Sequence, residues 1–173
     1  GVRVEHPQSL IDQSTYGKHY GHPVLKASSY QLTAKTSVNL GVYSFCMCPG
    51  GVVIPASTEQ KCLAVNGMSY SMRAGKNANS AILVQIPRSD FDQGHPLDGF
   101  QFQKKLEQLG YHEGFAAPAQ NIKDYLKQTP SDKLVIQTSY PRNTIMKDMH
   151  TFFSDEVNQA MEEGMKQFDK KIH

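Results

Sequence analysis

The chain has 173 residues, 39% of them hydrophobic and 20% charged, a mix that excludes wholesale disorder and suits one ordinary domain. A formal net charge of +2 is too near neutral for a binder of nucleic acid or membrane surfaces that works by charge; charging all seven histidines as well would bring it to +9, so the surface potential responds below roughly pH 6.5. No stretch approaches the roughly 20 apolar residues of a membrane span, no apolar signal core opens the chain, and three cysteines do not make a secreted disulfide framework, so the expectation is a cytoplasmic protein.

The first forty residues are polar, interrupted by Pro7, Gly17, Gly21 and Pro23. They read as loop with one extended piece at 30–35, where Tyr30, Leu32 and Ala34 alternate with Gln31, Thr33 and Lys35. From Gly41 the strand signal strengthens. Val42, Ser44 and Cys46 alternate with Tyr43, Phe45 and Met47, giving a small face and a bulky apolar one. Pro49-Gly50-Gly51 reads as a turn and 52–56 as a β-branched return strand. Further strands are expected at 62–65, 68–73 and 80–86, divided by Asn66-Gly67, the pair a tight hairpin prefers, and by Gly75-Lys76-Asn77. After Pro87 the period changes. Phe102, Leu106 and Leu109 predict a helix with Asp98 as cap and Gly110 as stop. Ile122, Tyr125 and Leu126 predict a second, opened by Pro118 and closed before Pro130, and 134–136 is a brief strand candidate. In the last helix Ser154 is the cap, Asp155 and Glu156 sit at the positive end of the dipole, Lys166, Lys170 and Lys171 lie towards the negative end, and Val157, Met161, Met165 and Phe168 form the core stripe. The expectation is one α+β unit over 1–173. An antiparallel meander of about five or six strands (about 28–87) is followed by about three helices packed on it (about 98–172).

Two segments are dense enough in unusual residues to carry chemistry. In Cys46-Met47-Cys48-Pro49-Gly50-Gly51 an extended strand would put the two cysteines on one face about 6.6 Å apart at Cα, near the upper end for a disulfide. Three readings stay open: a redox pair, a zinc site with Cys62 and a histidine, and two small soft side chains packed under the sheet. The Pro-Gly-Gly turn offers backbone N–H groups to a phosphate, a carboxylate or the edge of a flavin ring. In the second segment Ser69, Ser71, Arg73, Lys76, Asn77 and Asn79 form either an anion-facing strand and turn or the solvent face of an edge hairpin. His6, His19, His22, His95, His112, His150 and His173 are scattered and read as surface side chains, and no metal site is expected from them. Gly-x-Gly-x-x-Gly, a P-loop, His-Glu-x-x-His and Gly-x-Ser-x-Gly are all absent from the sequence, and basic and aromatic residues are too dispersed for a nucleic-acid platform.

Val42-Tyr43-Ser44-Phe45-Cys46-Met47-Cys48-Pro49-Gly50-Gly51, Asn66-Gly67-Met68-Ser69-Tyr70 and Gly75-Lys76-Asn77-Ala78-Asn79-Ser80-Ala81 together resemble a family of uncharacterised bacterial FAD-dependent dehydrogenases. The flanks Gly1-Val2-Arg3-Val4-Glu5-His6-Pro7-Gln8, His95-Pro96-Leu97-Asp98-Gly99, Thr138-Ser139-Tyr140-Pro141 and Phe168-Asp169-Lys170-Lys171-Ile172 extend the resemblance over nearly the whole chain. It implies a middle, inserted domain whose partner is the rest of its own chain, an FAD-binding Rossmann-type domain, and which roofs the isoalloxazine and shapes the cavity for a small-molecule substrate. The isolated segment is then not catalytic. The resemblance implies Cys46 and Cys48 as candidate catalytic groups; Pro49, Gly50, Gly51, Asn66 and Gly67 as cofactor contacts; and Ser69, Tyr70, Arg73, Lys76, Asn77 and Asn79 as the side facing an anionic substrate. The competing reading is a non-catalytic module that binds an anionic ligand or a protein through the hairpin around Arg73.

Overall fold

The computed structural model describes residues 1–172; His173 lies outside the described residues. Strand β1 (Val2–Pro7) runs into helix α1 (Gln8–Tyr16), and a long irregular segment leads to β2 (Thr33–Lys35). Then come β3 (Gly41–Cys48), β4 (Gly51–Pro55), β5 (Val65–Ser69) and β6 (Asn77–Val84). The second half holds α2 (Asp98–Gly110), β7 (Ala117–Ala119), α3 (Ile122–Tyr125), β8 (Thr144–Met146) and α4 (Asp155–Ile172).

The expected class, α+β with an antiparallel sheet and helices on it, is what folds, but the sheet is not a meander. Its order is β1-β6-β3-β2, so the first strand of the sheet in chain order lies beside the last of that sheet. Reading the first forty residues as loop missed both β1 and α1. β4 and β5 form a separate antiparallel ribbon that packs on β6 and β3, and β7 pairs with β8 in parallel. The expected strand at 62–65 is loop as far as residue 64, with Val65 already opening β5, and the one at 68–73 ends at Ser69. Asn66-Gly67 is not a turn: it lies inside β5 opposite Ile54 and Val53. Pro118 sits in β7 and not at a helix start, and 134–136 forms no strand.

The core shows why α4 forms where it does. Val42, Ile82 and Val84 from the sheet meet Val157, Ala160, Met161 and Phe168 from the helix, with Leu32, Ala34, Leu40 and Tyr125 closing the sides. Each of the larger side chains contributes about 1.5–3 kcal/mol by leaving water. Val2 and Val4 pack at the margin of the same core. Acids in the first turn and Lys170 and Lys171 in the last complement the α4 dipole. Asp98 is the first residue of α2 and caps nothing in it; its carboxylate accepts from the backbone of Gln93 (2.7 Å) and His95 (2.9 Å) and closes the preceding loop. α2 in turn holds the loop between β4 and β5, accepting at Glu107 O from Leu63 N (2.8 Å) and pairing Lys104 with Glu59 at 2.6 Å.

The small face of β3 is the buried one. Val42 and Ser44 turn towards α4, while Tyr43 and Phe45 stand on the opposite face, 38% and 54% exposed. The β4–β5 ribbon covers only one end of that face, so its aromatic end is open.

Candidate functional site

The open sheet face ends in a cluster built on Arg3. Its strand neighbours Val2 and Val4 point to the core, so the alternation of a strand sends Arg3 and Glu5 to the other side. The Arg3 guanidinium donates from Nη1 to Asn79 Oδ1 (2.6 Å) and to the carbonyl of Cys46 (3.3 Å), and from Nη2 to Asn66 Oδ1 (3.2 Å). All three acceptors are neutral. Asn79 is fully buried, and because its Oδ1 must face the guanidinium, its Nδ2 is left with no acceptor among the described residues. Gly67 completes the cluster: a Cβ there would collide with Arg3 Nη1 and Asn79 Oδ1. That close approach, not a turn, is what requires glycine at this position.

Cys46 and Cys48 lie at the same place. The β3–β6 register slips between Phe45 and Cys48, a bulge at which Cys46 takes a φ of +44°. Cys46 is exposed, Cys48 half-buried and Cys62 buried elsewhere. Cys48 Sγ donates to the Cys46 carbonyl at 3.3 Å. Among the described residues no three His, Cys, Asp or Glu side chains stand together as metal ligands, so the three cysteines do not converge on a zinc ion.

The Pro49-Gly50-Gly51 turn interlocks with the loop after β5. Gly50, at φ +50°, has the Arg73 carbonyl where a Cβ would be, and Gly75 N donates to Gly50 O at 3.0 Å. The Gly50 N–H is not free for a ligand, since Gln8 Oε1 accepts it at 2.6 Å, and Ser69 Oγ donates to Pro49 O at 2.8 Å. Beside this junction a cleft of about 870 Å³ opens, lined by Ser9, Arg73, Lys76, Thr138 and Ser139 among others. Arg73 and Lys76 are exposed at its margin, and Tyr70 stands 65% exposed on the turn that Arg73 N closes onto Tyr70 O. Asn77 faces inward: its Nδ2 donates to Glu5 and to the Gln137 carbonyl. The structure therefore gathers Cys46, Cys48, Asn66, Gly67 and Asn79 around Arg3. It sets Gly51, Arg73, Lys76 and Asn77 on a separate cleft, and leaves Ser69 between the two.

Arg3 and Glu5 were missed from sequence, although Val2-Arg3-Val4-Glu5 already alternates as a strand does. Glu5 is the staple of this region. Its carboxylate accepts from Thr138 Oγ1 (2.7 Å), Ser139 N (2.8 Å), Ser139 Oγ (2.6 Å) and Asn77 Nδ2 (3.2 Å), fixing the 137–139 segment to β1. His6 is half-buried: burial pushes its pKa below the ordinary value, and its Nε2 lies 2.9 Å from Tyr30 OH, whose own pKa burial pushes up to about 12.

A second cavity, of about 750 Å³, runs along the outer edge of β1 with apolar walls from Val4, Leu106, Tyr140, Phe153 and Met161. At the base of α4, His150 sets one ring nitrogen 3.0 Å from Asp148 and the other 3.1 Å from Glu162, and stacks on Tyr125 at 4.1 Å. Both nitrogens donate there only in the imidazolium form. The His150 backbone N–H is the main cause holding the Asp148 pKa low. Burial would raise Glu162, but hydrogen bonds from His150 and Gln128 and the charge of Lys166 take it below the ordinary value.

These features belong to a flavoprotein-associated domain. The family described as "FAD-dependent protein, C-terminal domain-like" matches residues 1–173, and the chain belongs to it. An "Uncharacterized protein" of Clostridium beijerinckii (strain ATCC 51743 / NCIMB 8052) is 43% identical over 177 residues, covering 99% of this chain. The chain spans about a third (33%) of the length of that relative. Among the described residues no helix is long and apolar enough to cross a membrane.

Proposed function

We propose that the chain is the substrate-side domain of an FAD-dependent dehydrogenase, set within a longer polypeptide and closing over a flavin held by a Rossmann-type domain of that polypeptide. The observation that carries this is the open end of the sheet, where Tyr43 and Phe45 lie exposed beside Arg3 and the Cys46–Cys48 bulge. A flat aromatic face with a polar margin suits a heteroaromatic ring with hydrogen-bonding edges. The residues fit that role and not the holding of a dinucleotide, because the chain has no Gly-x-Gly-x-x-Gly. The flavin, when bound, supplies hydride transfer. This chain's residues supply the wall that excludes water, Cys46 and Cys48 beside the ring, and, from the separate cleft, Arg73 and Lys76 as cations for an anionic end of the substrate.

The test is to express the chain with its neighbouring segments and measure flavin absorbance. Bound flavin is expected, with occupancy reduced in Phe45→Asp; a polypeptide that purifies without flavin and resists reconstitution overturns the proposal. The other reading, a module for an anionic ligand, draws on the cleft between Arg73 and Lys76. Titration of the 173-residue chain with inorganic phosphate separates the two: binding that Arg73→Ala abolishes favours the module.

A further inference from the structure

We infer that Cys46 and Cys48 form a reversible dithiol–disulfide pair, with Cys46 as the attacking thiol and Cys48 as the resolving one, exchanging with small disulfides that reach the open sheet face. The inference concerns this chain's thiols alone and stands whether or not the flavin proposal does.

Three observations converge on it. The thiols are graded in access: Cys46 is exposed, Cys48 half-buried and Cys62 fully buried. The strand that carries them is not regular. In an ideal strand the pleat would hold the two residues about 6.6 Å apart, at the far limit for a bridge. Here the register slips between Phe45 and Cys48 and Cys46 takes a left-handed φ of +44°, so the chain bends where the pleat would have separated them. Finally, Cys48 Sγ is turned back over the residue it would bridge to, 3.3 Å from the Cys46 carbonyl oxygen. A non-glycine residue in that backbone region persists only when its surroundings impose it. Arg3 donates to the same Cys46 carbonyl while anchored on Asn79 and Asn66, a contact that holds the bulge.

With oxidised glutathione as the oxidant the steps balance. The Cys46 thiol loses its proton, its sulfur attacks one sulfur of glutathione disulfide, and that S–S bond breaks to release the first glutathione thiolate. The deprotonated Cys48 sulfur then attacks Cys46 Sγ in the mixed disulfide, expelling the second. The two cysteines are oxidised by two electrons, glutathione disulfide is reduced to two thiols, and the two protons end on them.

Trypsin supplies the readout, because Lys35 and Lys61 bound a peptide, 36–61, that holds Cys46 and Cys48 and excludes Cys62. The native chain is incubated with oxidised glutathione, denatured, alkylated, digested and weighed. The expected product is peptide 36–61 unalkylated and lighter by two hydrogens than its dithiol, with Cys62 alkylated and dithiothreitol restoring both thiols. Cys48→Ser should stall at a glutathione adduct on Cys46, and Cys46→Ser should leave Cys48 reacting at least roughly tenfold more slowly. A wild-type peptide carrying glutathione without the internal bridge overturns the inference. So does Cys62 reacting as fast as Cys46, or a native chain inert where the unfolded chain reacts. The wild-type map needs no variant to fold.

Discussion

Gly164→Ala sets two effects of opposite sign against each other. Gly164 brings α4 directly onto Val42 of β3: an added Cβ would stand 2.6 Å from Val42 Cγ1, 2.8 Å from its Cβ and 3.1 Å from its Cγ2. Val42 is 1% exposed and in contact through both branches and its stem, so no rotation of the side chain clears the space. The helix must retreat, and overpacking of this kind costs about 1–3 kcal/mol. Alanine returns about 1 kcal/mol of helix propensity. The net expectation is a loss of roughly 1 kcal/mol, or about 2–4 °C in Tm for a chain of this size. Urea titration followed by circular dichroism measures it. In a Val42→Ala background the two Cγ contacts are gone and only the 2.8 Å approach to the Val42 Cβ position is left, so the same substitution should cost clearly less than in the wild-type chain, a coupling that a double-mutant cycle resolves. If Gly164→Ala alone stabilises the wild-type chain by about 1 kcal/mol, helix and sheet do not touch there and the packing argument fails.

Two further perturbations probe the polar half of the structure. Glu5→Gln puts an amide NH₂ where oxygens accept from Thr138, Ser139 and Asn77. It should cost about 1.5–3 kcal/mol and accelerate hydrogen exchange at the Ser139 amide, and unchanged exchange there would refute the staple. As pH drops through the ordinary histidine range, His6 responds. Its folded pKa lies below the ordinary value, so the unfolded chain binds a proton that the native one refuses, and stability falls as pH drops through the ordinary histidine range. Asp148 and Glu162, with folded pKa values below the ordinary range, add stability that is present above the unfolded carboxylate pKa and lost as pH falls towards the native values. Urea midpoints should therefore fall in two stages, and His6→Gln should remove the upper one; a midpoint unchanged between pH 7 and 5 contradicts the assignment.

Elements with a strong local signature were legible in the sequence. Val157, Met161 and Phe168 mark α4, Phe102 and Leu106 mark α2, and the alternation from Val42 marks β3. β1 was not: the alternation of Val2-Arg3-Val4-Glu5 is only four residues long, and the pairing with β6 that makes it a strand reaches across the length of the first half. The Asn66-Gly67 error has a different origin. Its local chemistry does suit a hairpin, but the glycine is required by the Arg3 and Asn79 side chains that press on β5. Cys46 and Cys48 could be singled out by their spacing. Their exposure and the bulge beneath them could not, since both rest on how β3 pairs with β6 and on a guanidinium that reaches the Cys46 carbonyl from β1, two strands away. Asn77 and Asn79, read from sequence as outward-facing, begin β6 and are consumed by Glu5, Gln137 and Arg3.

The placement of β1 at the margin of the sheet makes the opening residues costly to lose. A protein trimmed within Val2–Pro7 would forfeit more than a frayed end, because β6 would then become the border, with the 77–82 backbone that β1 had paired left facing outward. Such a border is a template for any loose strand in solution. Shortened versions should accumulate as aggregates even where the helical half has formed.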